Sequence, residues 1–137
     1  MINNTFEISK KNELTQSPNW IDIRNINNAL QLSNQYEDIC RQHKLNNKWI
    51  LMVNPEDDSL ALLSKSKRVD TSKILKINTN ITKVNLQSIG STLCKGNCSA
   101  VVLCNPSLKN EEIEQLKQYA EKGQTTCIVL TNNNRLH

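Results

Sequence analysis

The stretch Gly96-Asn97-Cys98-Ser99-Ala100-Val101-Val102-Leu103 is answered, residue type by residue type, by Gly123-Gln124-Thr125-Thr126-Cys127-Ile128-Val129-Leu130. Each copy follows a Lys and a segment of helical periodicity, with Leu86, Ile89 and Leu93 before the first and Ile113, Leu116 and Ala120 before the second. One helix-Gly-strand unit is thus written twice. A Gly just past the last periodic residue suits the left-handed conformation that ends a helix, and Lys95 or Lys122 beside it complements the negative end of the helix dipole. The runs 100–104 and 127–130 are continuous, apolar and rich in β-branched residues, as expected of strands covered on both faces.

Upstream, 48–54 (KWILMVN) reads as a strand stopped by Pro55, Asp57–Lys65 as a short helix through Leu60, Ala61, Leu62 and Leu63, and 73–77 (KILKI) as another strand. A leading helix is expected over 26–40, on Ile26, Ala29, Leu30, Leu32, Tyr36 and Ile39. Strands alternating with helices at this spacing predict an α/β domain with a buried, mostly parallel sheet flanked by helices. Residues 1–20 show no period and are read as a flexible N-terminal tail, 21–131 as a single domain, and 132–137 as a flexible C-terminal tail.

A chain of 137 residues is one domain, large enough to bury roughly two thirds of its unfolded surface. The net charge of +4 is spread along the chain without dense Lys/Arg clusters and interleaved aromatics, which argues against nucleic-acid binding. The first residues, MINNTFEISKK, lack the apolar core of a signal peptide, and no run approaches the ~20 apolar residues of a membrane helix. The expected location is cytoplasmic.

The five cysteines, Cys40, Cys94, Cys98, Cys104 and Cys127, fit a reducing compartment, being odd in number and set within helix or strand patterns. Cys94, Cys98 and Cys104 match no metal-knuckle spacing. A nucleophilic Cys needs a His beside it, and the two histidines are His43, at a helix end, and His137, the last residue. Nucleotide chemistry is disfavoured as well. A phosphate loop of the form G-x-x-x-x-G-K-S/T needs glycines so that backbone N–H groups can wrap the phosphates, and the chain has only Gly90, Gly96 and Gly123. After the strand 48–54 comes Pro55-Glu56-Asp57-Asp58, which repels phosphate and suits the start of a helix better than a metal. No catalytic residues, cofactor or metal are assigned.

The ordered landmarks carry more. They are Trp49-x-Leu51-x-x-x-Pro55, then Ser72-Lys73-Ile74-Leu75-x-Ile77, then Lys95-Gly96-Asn97-x-Ser99-x-Val101-Val102, and last Leu108-x-x-Glu111-Glu112-x-x-x-Leu116-x-x-Tyr119-Ala120-x-x-Gly123. Over roughly 48–130 this series resembles the SulA family of cell-division inhibitors. The resemblance implies a RecA-like α/β fold without its nucleotide loop, acting without catalysis. It implies inhibition of division during the SOS response by binding FtsZ, the tubulin-like GTPase of the division ring.

The same resemblance places partner contacts at Lys48, where the family more often has Arg, at Val53, two residues before Pro55, at Leu63, where the family can place a large aromatic, and at Lys73. It further implies destruction by the Lon protease through a C-terminal tail ending in His, here Asn132-Asn133-Asn134-Arg135-Leu136-His137. A homodimer is expected through an exposed sheet edge. Two other classes stay open, a RecA/SulA-like accessory protein of translesion synthesis and a diverged nucleotide-sensing domain.

Overall fold

A computed structural model describes residues 19–43, 48–66, 69–78 and 86–132. The chain runs β1 (Ile21–Ile26), α1 (Ala29–Gln42), β2 (Trp49–Val53), α2 (Asp57–Lys65), β3 (Ile74–Ile77), α3 (Leu86–Lys95), β4 (Cys98–Cys104), α4 (Asn110–Gly123) and β5 (Thr126–Asn132). The strands form one sheet in the order β1-β5-β4-β2-β3, and every pairing is parallel. The strands at the centre are the continuous apolar runs of the sequence because helices cover both of their faces. On one face Leu51, Val53, Val101, Leu103, Cys127 and Val129 meet Ile89 and Leu93 of α3 and Leu116 and Ala120 of α4. On the other, Ile50, Met52, Ala100, Val102, Ile128 and Leu130 meet Tyr36, Ile39 and Cys40 of α1 and Leu63 of α2.

Two corrections concern the amino-terminal third. Ile26 ends a strand and does not begin a helix, and α1 starts after Asn28, whose side chain accepts from the Gln31 N–H at 2.9 Å. This Asn cap fixes the helix start. The strand β1 escapes a hydrophobic reading because it is an edge strand with polar residues at Asp22 and Arg24. Arg24 ties it to α1, donating to Gln35 Oε1 at 2.6 Å and Gln42 Oε1 at 3.0 Å, and also donates to Asp22 Oδ2 of its own strand at 2.7 Å. Trp20, expected in the tail, packs against the α3/α4 core, and its carbonyl accepts from the Cys127 N–H at 2.8 Å. Residues 1–18 and 133–137, which make up most of both expected tails, lie outside the described residues.

The doubled unit is a real architectural repeat with a one-residue slip. Gly96 takes the left-handed turn after α3 with φ 70°, but after α4 that role falls to Gln124 with φ 52°, while Gly123 remains helical. Equivalent residues are therefore 28 apart, as 96 and 124 are, and not 27 apart as the aligned letters suggest. The faces agree with this, since Val101 and Val129 share one core and Val102 and Leu130 the other, whereas Ala100 and Cys127 lie on opposite faces. Gly123 is required for a different reason. A Cβ on it would stand 1.7 Å from the Leu93 carbonyl oxygen, and one on Gly90 would stand 2.6 Å from the Tyr119 ring. Glycine lets α3 and α4 approach backbone to backbone.

Candidate functional site

A parallel sheet with helices returning antiparallel to it has two chemically different edges. At the carboxyl edge β2 and β4 are neighbours, yet the chain leaves β2 for α2 on one face and β4 for α4 on the other. This is a topological switch point, where open α/β sheets hold ligands. Both strands end alike, in Asn54-Pro55 and Asn105-Pro106, with each Asn at positive φ (57° and 51°). Their N–H groups donate to the Ile77 and Leu130 carbonyls, both at 2.7 Å, so the turns continue the sheet. The Tyr36 hydroxyl reaches in from α1, accepting from the Glu56 N–H at 3.1 Å and lying 3.7 Å from Cys104 Sγ. Burial pushes the Cys104 thiol up to about 11 and raises the Tyr36 phenol, so both are neutral at physiological pH. The three glycines lie at the α3–α4 junction and not at this edge. Glu56, Asp57 and Asp58 are exposed beside the switch point, and Asp57 pairs with Lys76 at 3.0 Å. Among the described residues no three His, Cys, Asp or Glu side chains come together as a metal site.

The amino edge is basic. Lys48 precedes β2 and Lys73 precedes β3, the neighbouring strand of the sheet. The Lys73 Nζ lies 4.6 Å from the Trp49 ring centroid, within the range of a cation–π contact. The Trp49 N–H donates to the Asn97 carbonyl at 3.3 Å and the Ile50 N–H to the Lys73 carbonyl at 2.9 Å, which fixes the starts of β2, β3 and β4 side by side. The ladder slips between Trp49 and Ile50, whose partners are Cys98 and Ala100, leaving Ser99 as the extra residue of a bulge. The Ser99 hydroxyl donates to the His43 carbonyl at 2.7 Å and so pins the end of α1 to this edge. At this joint the Asn97 backbone carbonyl holds β2, and the Ser99 side chain holds α1.

The other two residues singled out in the sequence are elsewhere. Val53 is 4% exposed at the carboxyl end of β2, in the α3/α4 core, and Leu63 is 1% exposed on α2, in the α1/α2 core. They lie on opposite faces of the sheet, and neither offers side-chain surface in this structure. Lys48 and Lys73 are half-buried, with partly accessible side chains. Sequence reading missed the charged cluster around Arg24 and the exposed apolar strip of Leu75 (42%) and Ile77 (43%) on β3, the edge strand that α3 and α4 leave bare.

No family model matches the chain, and no curated protein matches it in sequence. Among solved structures, SulA from Pseudomonas aeruginosa superposes with a TM-score of 0.67 over 85% of this chain and 100% of that one, at 15% sequence identity. The fold is that of SulA. At this identity the likeness concerns architecture, and the SulA fold is what the wholly parallel five-stranded sheet and its four helices share with that structure. Among the described residues no helix is long and apolar enough to cross a membrane.

Proposed function

We propose that this protein is a stoichiometric inhibitor of bacterial cell division that binds FtsZ and removes it from the polymerising pool. The observation that carries the reading is a coincidence of two kinds of likeness. The ordered landmarks from Trp49 to Gly123 resemble the SulA family, and the SulA structure covers the same fold along its whole length. FtsZ filaments grow by a head-to-tail contact repeated without closure, so a protein that occupies one of the two faces stops growth. No catalysis is needed. Lys48 and Lys73 are the contacts we assign to the partner, with Trp49 holding Lys73 in place. Val53 and Leu63 act from within the fold.

Two further features belong to this reading. A stoichiometric brake has to be removed before division resumes, and the C-terminal residues 132–137 are the handle we assign to the Lon protease. Self-association is assigned to β3, the edge strand of the sheet among the described residues, which carries the exposed Leu75 and Ile77.

The experiment is expression of the protein in bacteria carrying the FtsZ of its own species, with cell length and DNA content as readouts. Filamentation with continued replication is expected, together with a fall in FtsZ polymer mass and GTP turnover in proportion to added protein. Normal division at high soluble expression overturns the reading. Micromolar ATP or GTP binding by the protein itself would move it to the nucleotide-sensing class.

A further inference from the structure

All four helices return antiparallel to the strands, so all four end at the amino edge, and each carries a cation in its last turn: Arg41, Lys65, Lys95 and Lys122. The acidic first turns, Asp57 and Asp58 of α2 and Glu111 and Glu112 of α4, fall at the opposite edge. A local preference, cations at helix C-termini and anions at N-termini, is thus summed by the parallel topology into a charge bias between the two edges, partly offset at the carboxyl edge by Lys76, which pairs with Asp57 at 3.0 Å, and by Lys109 before α4.

The separation is sharpest ahead of four adjacent strands. Lys73 and Lys48 stand just before β3 and β2, and Lys95 and Lys122 lie in the last turns of α3 and α4, which lead into β4 and β5; these strands are neighbours in that order, so the topology gathers the four lysines at one edge of the sheet. Arg41 is answered by Glu37 at 2.7 Å, but none of the four lysines forms an ion pair with a described residue. Glu121, exposed beside Lys122, is the acid next to this band at its α4 end.

We propose that this lysine band is the docking surface for a compact acidic face of a protein, with Lys95 and Lys122 as steering residues beyond Lys48 and Lys73. The number of cations selects the occupant. A duplex that releases counterions at six or more phosphates needs a longer basic track than four lysines, and Glu121, exposed beside Lys122, repels a phosphate backbone at one end. Lysine ammoniums are point charges that meet scattered carboxylates without a fixed fork geometry, and the Trp49–Lys73 pair adds a flat aromatic surface beside them. The identity of the partner as FtsZ rests on the function proposed above; the existence of the band does not.

The test compares the double variant Lys95→Gln/Lys122→Gln with Lys109→Gln/Lys117→Gln, which removes the same charge from exposed positions at the start and middle of α4. Lys95→Arg/Lys122→Arg serves as the charge-preserving rescue. Association with purified FtsZ is measured across a salt series. The band variant is expected to bind about tenfold more weakly at low salt, mostly in the association rate, with a flatter salt dependence. The control is expected within twofold of the parent and the Arg variant restored. The same proteins are run on a carboxylate cation-exchange column, where the band variant should elute earlier than the equally charged control. Identical elution of the two doubles overturns the band. Loss of FtsZ binding in the parent with the elution difference retained removes FtsZ as partner and leaves the band standing. Tighter binding to a short DNA duplex than to an acidic protein, abolished by the band substitutions, overturns the protein occupant.

Discussion

Lys73 holds its ammonium 4.6 Å from the centroid of the Trp49 ring, Trp49 opening β2 and Lys73 immediately preceding the neighbouring β3. The contact presents a cation at a fixed place, which lowers the cost of ordering a lysine in a complex. Lys73→Glu and Lys48→Glu should each weaken FtsZ binding by ~2 kcal/mol, roughly thirtyfold. Melting temperature should change little, because both side chains are partly solvated. Lys73→Gln should also shift Trp49 emission where Lys48→Gln does not. Equal losses of binding and stability would place these residues in the fold and not in the contact.

Gly123 sets two effects against each other. In an ordinary helix Gly→Ala gains about 1 kcal/mol of propensity, but here the new Cβ would overlap the Leu93 carbonyl at 1.7 Å, a backbone atom that cannot rotate away. Sterics should win, and Gly123→Ala should destabilise by ~1–3 kcal/mol, as overpacking does. Gly90→Ala meets the Tyr119 ring at 2.6 Å, a side chain that can move, so its cost should be smaller. Denaturant midpoints decide the order; a stabilised Gly123→Ala would mean that α4 ends a residue earlier in solution.

The sheet was legible because its inner strands are buried on both faces and so are written as unbroken apolar runs, and α2 was found from Asp57 to Lys65 by its acid start and Leu-rich face. The edge strand β1 was not, since Arg24 and Asp22 interrupt it and its energetics lie in hydrogen bonds to α1 that carry no periodicity. The slip between repeats was also hidden. Gly123 looks like a helix terminator, and only the approach of α3 shows that it is kept for space. Of the candidate contacts, the two lysines sit where local sequence puts them, at strand starts; the burial of Val53 and Leu63 depends on which helix lies over which strand.

His43 makes stability depend on pH. Burial lowers its pKa below the ordinary histidine value, Arg24 adds to this, and Asp22 opposes it. The unfolded chain therefore binds the proton more readily, and its contribution, fully present above about pH 6.5, is lost as pH falls from there toward the depressed folded value. Melting temperature should decline over that window in the parent and be flatter in His43→Gln. An unchanged slope would assign the decline to carboxylates.

The thiols should differ in reactivity. Burial pushes Cys127 up to about 12 and Cys40 up to about 11, and Cys98 is raised for the same reason. Only a thiolate reacts quickly, so native protein at pH 8 should label first at the half-buried Cys94, with Cys127, Cys98 and Cys40 following only on unfolding. Rapid labelling of Cys127 would mean that β5 opens readily from the centre of the sheet.

Leu63 and Val53 provide the crossed control for the lysines. Truncating a fully buried Leu leaves a cavity and costs ~2–5 kcal/mol, and Leu63 is 1% exposed beneath α2. Leu63→Ala should therefore lower the denaturant midpoint sharply, and Val53→Ala less so because fewer atoms are removed. At a temperature where the variants remain folded, both should still inhibit FtsZ with parental stoichiometry. The lysine reversals should show the opposite pattern, with stability kept and inhibition lost. If Leu63→Ala abolishes inhibition while leaving the midpoint unchanged, its side chain reaches the partner in another arrangement of α2. The binding surface would then extend from the amino edge onto the α1/α2 face.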